Sequence, residues 1–212
     1  MVIAIDGPSG VGKSTVSRLV AKNLGLAFLD TGATYRAATL AVLEAGVDPS
    51  DESEVLSELS GHSIDYDERG VLLDGRSVAF DVRSDAVTSA VSAVSAHPLV
   101  RAEVVNMQRR WVEHHDGRAV VEGRDIGTIV FPDAPLKIYM TASPLVRATR
   151  RATDSEAGGK SIEEIADALA QRDHADSSRA ASPLRPADDA VIIDTGNMTI
   201  DEVVAQITSL VM

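Results

Sequence analysis

Cysteine is absent from this chain of 212 residues, which excludes a disulfide framework, thiol catalysis and a zinc site built on cysteine. Aromatic residues make up only 3% of the sequence, so a core has to be built from aliphatic residues, and a hydrophobic fraction of 44% allows one. No apolar run is long enough to span a membrane, and the N-terminus has the pattern of a core strand rather than of a signal peptide. We therefore expect a soluble cytoplasmic protein.

Positive charge is scarce as well, since the formal net charge is −12. The chain lacks the basic surface that binding to long nucleic acid requires, so we expect no nucleic-acid polymer among its partners. A few focused cations can still bind a small phosphorylated ligand. Arginine provides 16 of the 20 basic residues, which suits bidentate phosphate recognition, although biased codon usage would give the same count.

A complete phosphate-binding motif, G-x-x-x-x-G-K-[ST], lies near the start of the chain between an apolar run and a helical pattern. The motif and the threonine after it comprise Gly7, Pro8, Ser9, Gly10, Val11, Gly12, Lys13, Ser14 and Thr15. Glycine lets the backbone direct several N–H groups at phosphate oxygens, and the start of the next helix adds partial positive charge. We expect Lys13 to lie between the β- and γ-phosphates of a nucleotide. The alternative is a glycine-rich turn between a buried strand and a helix.

Five short apolar runs alternate with helical patterns, which predicts an α/β fold with a five-stranded parallel sheet flanked by helices. The runs cover residues 2–5, 26–29, 118–122, 136–140 and 190–194. Three further runs between residues 63 and 80, separated by turn residues, predict an inserted antiparallel meander of two or three strands. We predict one domain over residues 1–212, with a core of 1–46 and 98–212, an insertion near 47–97 and a helical lid near 147–162.

Charged residues follow two of the predicted strands, at the edge where open α/β sheets bind ligands. A polar loop is expected at residues 30–36, where Tyr35 and Arg36 either face a second ligand or lie on a solvated helix surface. Glu122 ends the third core strand, as the acid of a Walker-B strand does. Arg124 and Asp125 follow between two glycines, a placement that is costly unless they contact a ligand or pair with each other.

Two later helices also carry charge in regular spacing. Arginines between residues 147 and 151 share one helix face, which costs energy unless an anion binds there. A polar loop at 154–159 and a capping box that begins at Ser161 then predict a short helical hairpin. Farther on, Arg172, Asp176 and Arg179 have the spacing of an ordinary ladder of surface ion pairs, which is the favoured interpretation of that segment alone.

Taken together, these segments resemble the bacterial cytidylate kinases, a family of P-loop nucleoside-monophosphate kinases, over nearly the whole chain. The resemblance is carried by residues 7–15, 30–36, 97–101, 122–127 and 172–179. The phosphate loop alone is generic, whereas Gly-Arg-Asp-x-Gly at 123–127 combined with Tyr-Arg and the insertion is much more specific. The resemblance implies transfer of the γ-phosphoryl group of ATP to CMP and dCMP, with Mg²⁺ as cofactor, and we expect a monomer.

The same resemblance implies a set of site residues. The catalytic residues would be Lys13, Arg36, Arg124 and Arg179, with the three arginines on the CMP phosphate. The substrate would contact Thr31, Tyr35, Arg36, Ser92, Arg101, Arg124, Asp125, Arg172, Asp176 and Arg179. ATP would lie in residues 7–15 under the lid arginines Arg147 and Arg151, and Mg²⁺ would be held by Ser14 or Thr15 and by Glu122. Two departures from the family pattern are Ser14, where many such kinases have glycine, and Glu122, where aspartate is usual.

The base would be read by Ser92, Arg101 and Asp125, a choice that agrees with the chemistry of cytosine. A carboxylate suits the amino donor of cytosine and a guanidinium suits its acceptors, whereas uracil reverses both, so we expect CMP to be preferred over UMP. Two alternatives remain open. One is a P-loop kinase for UMP, AMP or another small metabolite. The other is a P-loop nucleotide switch that has no monophosphate acceptor.

Overall fold

The computed structural model describes residues 1–153, 161–179 and 182–211. The strands are β1 (Val2–Asp6), β2 (Ala27–Asp30), β3 (Ile64–Asp67), β4 (Gly70–Leu73), β5 (Arg76–Ser77), β6 (Ala119–Gly123), β7 (Leu136–Thr141) and β8 (Val191–Asp194). The helices are α1 (Lys13–Leu24), α2 (Thr31–Glu44), α3 (Glu52–Leu59), α4 (Asp85–Val94), α5 (Pro98–His114), α6 (Pro144–Ala152), α7 (Ile162–Ser177) and α8 (Ile200–Ser209). The chain divides into two compact units, residues 30–114 and the rest.

The first unit, residues 1–29 and 115–212, contains the five-stranded sheet that the alternation of apolar runs predicts, and its strands lie in the order β2-β6-β1-β7-β8. β1 pairs in parallel with β6 on one side and β7 on the other, and β7 pairs in parallel with β8. Because β1 is central, its side chains are shielded on both faces, and Ile3 and Ile5 are fully buried. Val20 of α1 and Ile207 of α8 pack into the same core. The carboxyl end of β1 therefore opens at the middle of the sheet edge.

The second unit combines four helices with a three-stranded antiparallel sheet in the order β3-β4-β5. The indole N–H of Trp111, on α5, donates to the carbonyl of Tyr66 at 2.9 Å, and the two rings meet edge to face. The predicted meander is confirmed, but its third strand stops at Ser77 instead of reaching Phe80. A 3₁₀ turn begins at Asp81, and the Phe80 ring is 88% exposed.

Side chains cap the starts of six of the described helices, namely α2, α3, α4, α6, α7 and α8. Ser161 caps α7 in a capping box with Glu164, as expected. The prediction of a polar loop at residues 30–36 is wrong, because α2 begins directly after β2. Asp30 is the N-cap of α2, and its carboxylate accepts the Ala33 N–H. The loop predicted at 154–159, and with it the middle of the predicted lid, lies outside the described residues. Within the described chain, no helix has both the length and the apolar character to cross a membrane.

Candidate active site

The phosphate-binding loop connects β1 to α1 and has the backbone that its glycines predict. Gly7, Gly10 and Gly12 have positive φ angles, and a Cβ atom on Gly7 would lie 2.2 Å from the carbonyl oxygen of Met140. No side chain caps the start of α1, so its first N–H groups are available to an anion. Ser14 and Thr15 lie exposed in that first turn, where a hydroxyl can reach a ligand.

Lys13 reaches back across the loop. Its ammonium group donates to the carbonyl of Pro8 at 2.8 Å. Burial lowers the pKa of Lys13 to about 7, the positive charge of Arg124 acts in the same direction, and the carboxylates of Glu122 and Asp6 oppose both. A phosphate group beside Lys13 would favour its charged form and raise that pKa. An anion that binds beside Lys13 would therefore increase the fraction of the lysine that is charged near neutral pH.

Arg124 projects from the end of β6 and contacts the loop directly. Its guanidinium donates to the carbonyl of Gly7 and to the hydroxyl of Ser9, and its Nε atom lies 2.8 Å from the Asp176 carboxylate. Among the described residues Arg124 forms no ion pair with Asp125, so the alternative in which these two side chains pair is wrong. The position of Arg124 between two glycines instead allows its side chain to contact the phosphate loop and α7.

Arg124, Asp176 and Arg179 form what we call the arginine cluster. Asp176 is only 2% exposed, accepts a hydrogen bond from the guanidinium of Arg179 and forms an ion pair with that of Arg124. Asp176 and Arg179 pair as their spacing predicts, but the interpretation of residues 172–179 as a solvated ladder is wrong, because Asp176 is buried and also pairs with Arg124. Two cations around one carboxylate leave an excess positive charge beside the phosphate loop, which suits a second anionic ligand.

Asp6, at the end of β1, is a site residue that the sequence analysis did not identify. Its two carboxylate oxygens accept the backbone N–H groups of Ile126 and Gly127, each at 2.8 Å. Burial raises the pKa of Asp6 to about 6, although these two N–H groups act in the opposite direction. Asp6 therefore fixes the backbone immediately after Arg124 and the buried Asp125. An acid as the last residue of the strand before the motif is the signal that points to it.

Arginines of α6 bond to acceptors of the protein itself. The expectation that their shared helix face costs energy unless an anion binds is therefore wrong. Arg147 is buried, forms an ion pair with Asp173 and donates to the carbonyl of Ser9 at 3.1 Å. Arg150 donates to the hydroxyl and the carbonyl of Thr195, at 2.9 and 2.6 Å. Because these acceptors come from the protein, the shared helix face needs no external anion to be stable.

Of the remaining substrate residues implied by the resemblance, Arg172 lies on α7, and the others lie in the second unit. Arg36, on α2, donates to the carbonyl of Val82 at 3.0 Å and to the hydroxyl of Thr88 at 2.9 Å. Arg101, on α5, is buried, donates to the carbonyl of Ser95 at 3.1 Å and lies 5.2 Å from the centre of the Tyr35 ring. Two residues complete this group: Thr31, buried at the start of α2, and Ser92, half-buried on α4.

The oxygen ligands near the phosphate loop fit a magnesium ion. Ser14 and Thr15 offer hydroxyl groups, and Glu122 offers a carboxylate at the end of β6, close enough to Lys13 to favour its charged form. Mg²⁺ prefers hard oxygen ligands of this kind and usually keeps several waters and phosphate oxygens. The donor set that the sequence predicts is therefore chemically suitable.

A parallel sheet with a lysine-bearing phosphate loop after its central strand defines the P-loop kinase fold. Solved structures with this fold include a shikimate kinase from Bacteroides thetaiotaomicron, with a TM-score of 0.52, 16% identity and coverage of 100% of this chain and 98% of that one. A second is TT1252 from Thermus thermophilus, with a TM-score of 0.53, 20% identity and coverage of 100% and 95%. At such identities the likeness concerns the fold alone.

The family is established by the sequence comparisons. The family model described as cytidylate kinase matches residues 3–212, and the chain belongs to this family. A cytidylate kinase of Rhodococcus opacus (strain B4) is 52% identical, over 100% of this chain and 94% of the relative. A cytidylate kinase of Corynebacterium efficiens is 50% identical, over 99% and 94%.

Proposed function

We infer that this protein transfers the γ-phosphoryl group of ATP to CMP, giving CDP and ADP. Family membership and the two relatives support the reaction. The structural observation that carries it is the position of Arg124, which contacts the phosphate loop on one side and Asp176 of the arginine cluster on the other. Phosphoryl transfer between two phosphate groups needs their negative charges held together and in line, and guanidinium groups adjacent to the loop can do so.

We propose the following roles within that reaction. Lys13 binds the transferred phosphoryl group, and Arg124 and Arg179 bind the phosphate of CMP. Asp176 and Arg172 bind the ribose, and Arg147 and Arg151 bind the phosphates of ATP. Asp125 reads the base, and the resemblance adds Thr31, Tyr35, Arg36, Ser92 and Arg101. No general base is required, because the acceptor is already an anionic phosphate.

A magnesium ion, held by Glu122 and by the hydroxyl of Ser14 or Thr15, completes the proposed site. When bound, it neutralises part of the charge on the transferring phosphates. The chain's own contribution is the carboxylate of Glu122 at the end of β6 and the hydroxyls in the first turn of α1, directly after Lys13. We further propose that the protein acts as a cytoplasmic monomer and accepts dCMP as well as CMP.

An ADP-release assay with CMP, dCMP, UMP and AMP tests the reaction. We expect CMP to exceed UMP by on the order of 10⁴-fold in kcat/KM, because uracil would leave polar groups on Asp125 and Arg101 without partners. A preference for AMP or UMP would replace the assignment with another acceptor kinase. ATP hydrolysis that no monophosphate stimulates would instead indicate a nucleotide switch.

The role of Arg124 has a test of its own. Arg124→Ala removes a charged phosphate contact, and we expect kcat/KM for CMP to fall about 100-fold or more. Arg185→Ala is the matched control, because the Arg185 side chain is largely exposed and lies 3.9 Å from its nearest carboxylate, that of Asp188. A loss below about threefold, which is under 1 kcal/mol, would remove Arg124 from the proposed site.

A further inference from the structure

Asp173, on α7, makes contacts that the reaction described above does not use. Its carboxylate pairs with the buried guanidinium of Arg147 and also accepts the backbone N–H of Ser9 at 3.3 Å. Arg147 in turn donates to the carbonyl of Ser9 at 3.1 Å. One side chain of α7 thus engages both a backbone donor of the phosphate loop and an arginine of α6.

These two donors are of the kind that a nucleotide phosphate requires. Backbone N–H groups of a glycine-rich loop and arginine guanidinium groups are both standard partners of phosphate oxygens. A carboxylate oxygen carries the same sign of charge as a phosphate oxygen and accepts from the same donors in a similar geometry. Asp173 and a bound phosphate therefore cannot both have full use of the Ser9 N–H and of Arg147.

The surroundings of Asp173 strengthen this competition. Its side chain is only 19% exposed, and the Arg147 side chain is 9% exposed, so water screens their interaction weakly. A polyphosphate that approaches the loop meets a fixed negative charge as well as two occupied donors. Removing the charge of Asp173 should for both reasons favour the binding of an anion at the loop.

We propose that Asp173 is a positioning residue of the nucleotide site: it holds Arg147 beside the phosphate loop, accepts the Ser9 N–H of that loop, and yields both donors to the phosphates of ATP. This proposal rests on the proposed function, since it requires ATP to bind at this loop. This replacement of Asp173 by phosphate oxygens lowers the affinity for nucleotide. Part of the binding free energy from each new phosphate contact is offset because Asp173 loses its own contacts.

The test compares D173N with the wild type by calorimetric titration with ATP and with ADP, each without CMP. We expect D173N to bind both nucleotides about fivefold more tightly, because the amide keeps the size of the side chain but loses the charge that competes with phosphate. The KM for ATP should fall similarly in steady-state assays, while the KM for CMP stays within about twofold. Asp173→Glu keeps the charge and should retain the weaker affinity of the wild type.

D167N is the matched control, because Asp167 is exposed on the same helix and the change removes the same unit of charge. An equal gain in nucleotide affinity in D167N and D173N would show that the effect comes from net charge alone and would overturn the proposal. Unchanged or weaker nucleotide binding by a folded D173N would also overturn it. Circular dichroism reports folding, and Asp173→Ser replaces D173N should the latter unfold. Wild-type phosphorylation of CMP, measured in parallel, separates failure of this proposal from failure of the proposed function.

Discussion

At the scale of single residues, Asp6 links the phosphate loop to the segment that carries Arg124 and Asp125. In Asp6→Asn the side chain can accept only one of the two backbone N–H groups well, so a buried donor loses its partner at a cost of about 1–3 kcal/mol. We expect kcat/KM for CMP to fall at least tenfold and the protein to melt at a lower temperature. Steady-state kinetics and thermal unfolding measure the two effects.

Asp133→Asn serves as the control for Asp6, since Asp133 is exposed in the same unit and its carboxylate makes none of these contacts. It should change neither activity nor melting temperature. A loss of stability in Asp6→Asn without any loss of kcat/KM would mean that Asp6 supports the fold and not the geometry of the site.

We expect Lys13 to couple the binding of ATP to the uptake of a proton. Burial lowers its pKa to about 7, so at pH 8 most of the lysine is neutral before ATP binds, and the phosphates then raise the pKa again. We expect uptake of on the order of one proton at pH 8, little uptake at pH 6, and affinity for ATP that declines as the pH rises above 7. Calorimetric titration in buffers of different ionisation enthalpy measures the uptake.

Lys13→Arg provides the comparison, because a guanidinium stays charged throughout this range and should remove the uptake at pH 8. Identical binding enthalpies in all buffers at pH 8 for the wild type would show that Lys13 is already charged, contrary to the prediction.

At the scale of elements, His62 joins α3 to the turn between β4 and β5 in the second unit. Its two ring nitrogens lie 2.7 Å from Asp74 and 3.0 Å from Glu58. The hydrogen bond to Asp74 and, after it, the bond to Glu58 raise the pKa of His62 above its usual 6.5. The stabilisation is therefore fully present below the unfolded pKa of 6.5 and is lost as the pH rises through the folded value.

His62→Gln should consequently destabilise the protein at pH 5.5 more than at pH 8.5, in urea titrations followed by far-UV circular dichroism. Because the cluster is partly exposed, we expect a difference of no more than about 1 kcal/mol. His114→Gln, an exposed change at the end of α5, is the control. An equal effect of His62→Gln at both pH values would exclude the charged form of the histidine as the source of stability.

Elements with local signals were predictable from the sequence, and contacts between distant elements were not. The strands of the large sheet and the capping box at Ser161 follow from short patterns, and the structure agrees with them. Asp6 contacts a residue 120 positions away, and Asp173 one that is 164 positions away. No periodicity encodes such pairs, so an acid at a strand end or on a helix face gives only a weak indication of its partner.

At the scale of the whole molecule, the same limit explains where the sequence analysis was wrong. Asp176 has the spacing of a solvated ladder of ion pairs, and Arg147 has that of a helix face that needs an external anion, yet both side chains are buried. Helical spacing describes which residues share a face, but packing of α6 and α7 in the fold decides whether that face meets water or protein. The family resemblance supplied part of what the spacing did not, because it singled out residues 122–127 and 172–179, which contact the phosphate loop through Arg124 and Asp173.

Trp111 is the one tryptophan in the sequence, and it lies in the second unit with its indole bonded to the Tyr66 carbonyl. Intrinsic emission excited at long wavelength is therefore a built-in spectroscopic label for that unit alone. Quenching of this emission, or a shift in its wavelength, during a titration with nucleotide would report on the surroundings of α5 and β3. The unit that carries the phosphate loop has no tryptophan and does not contribute to this emission.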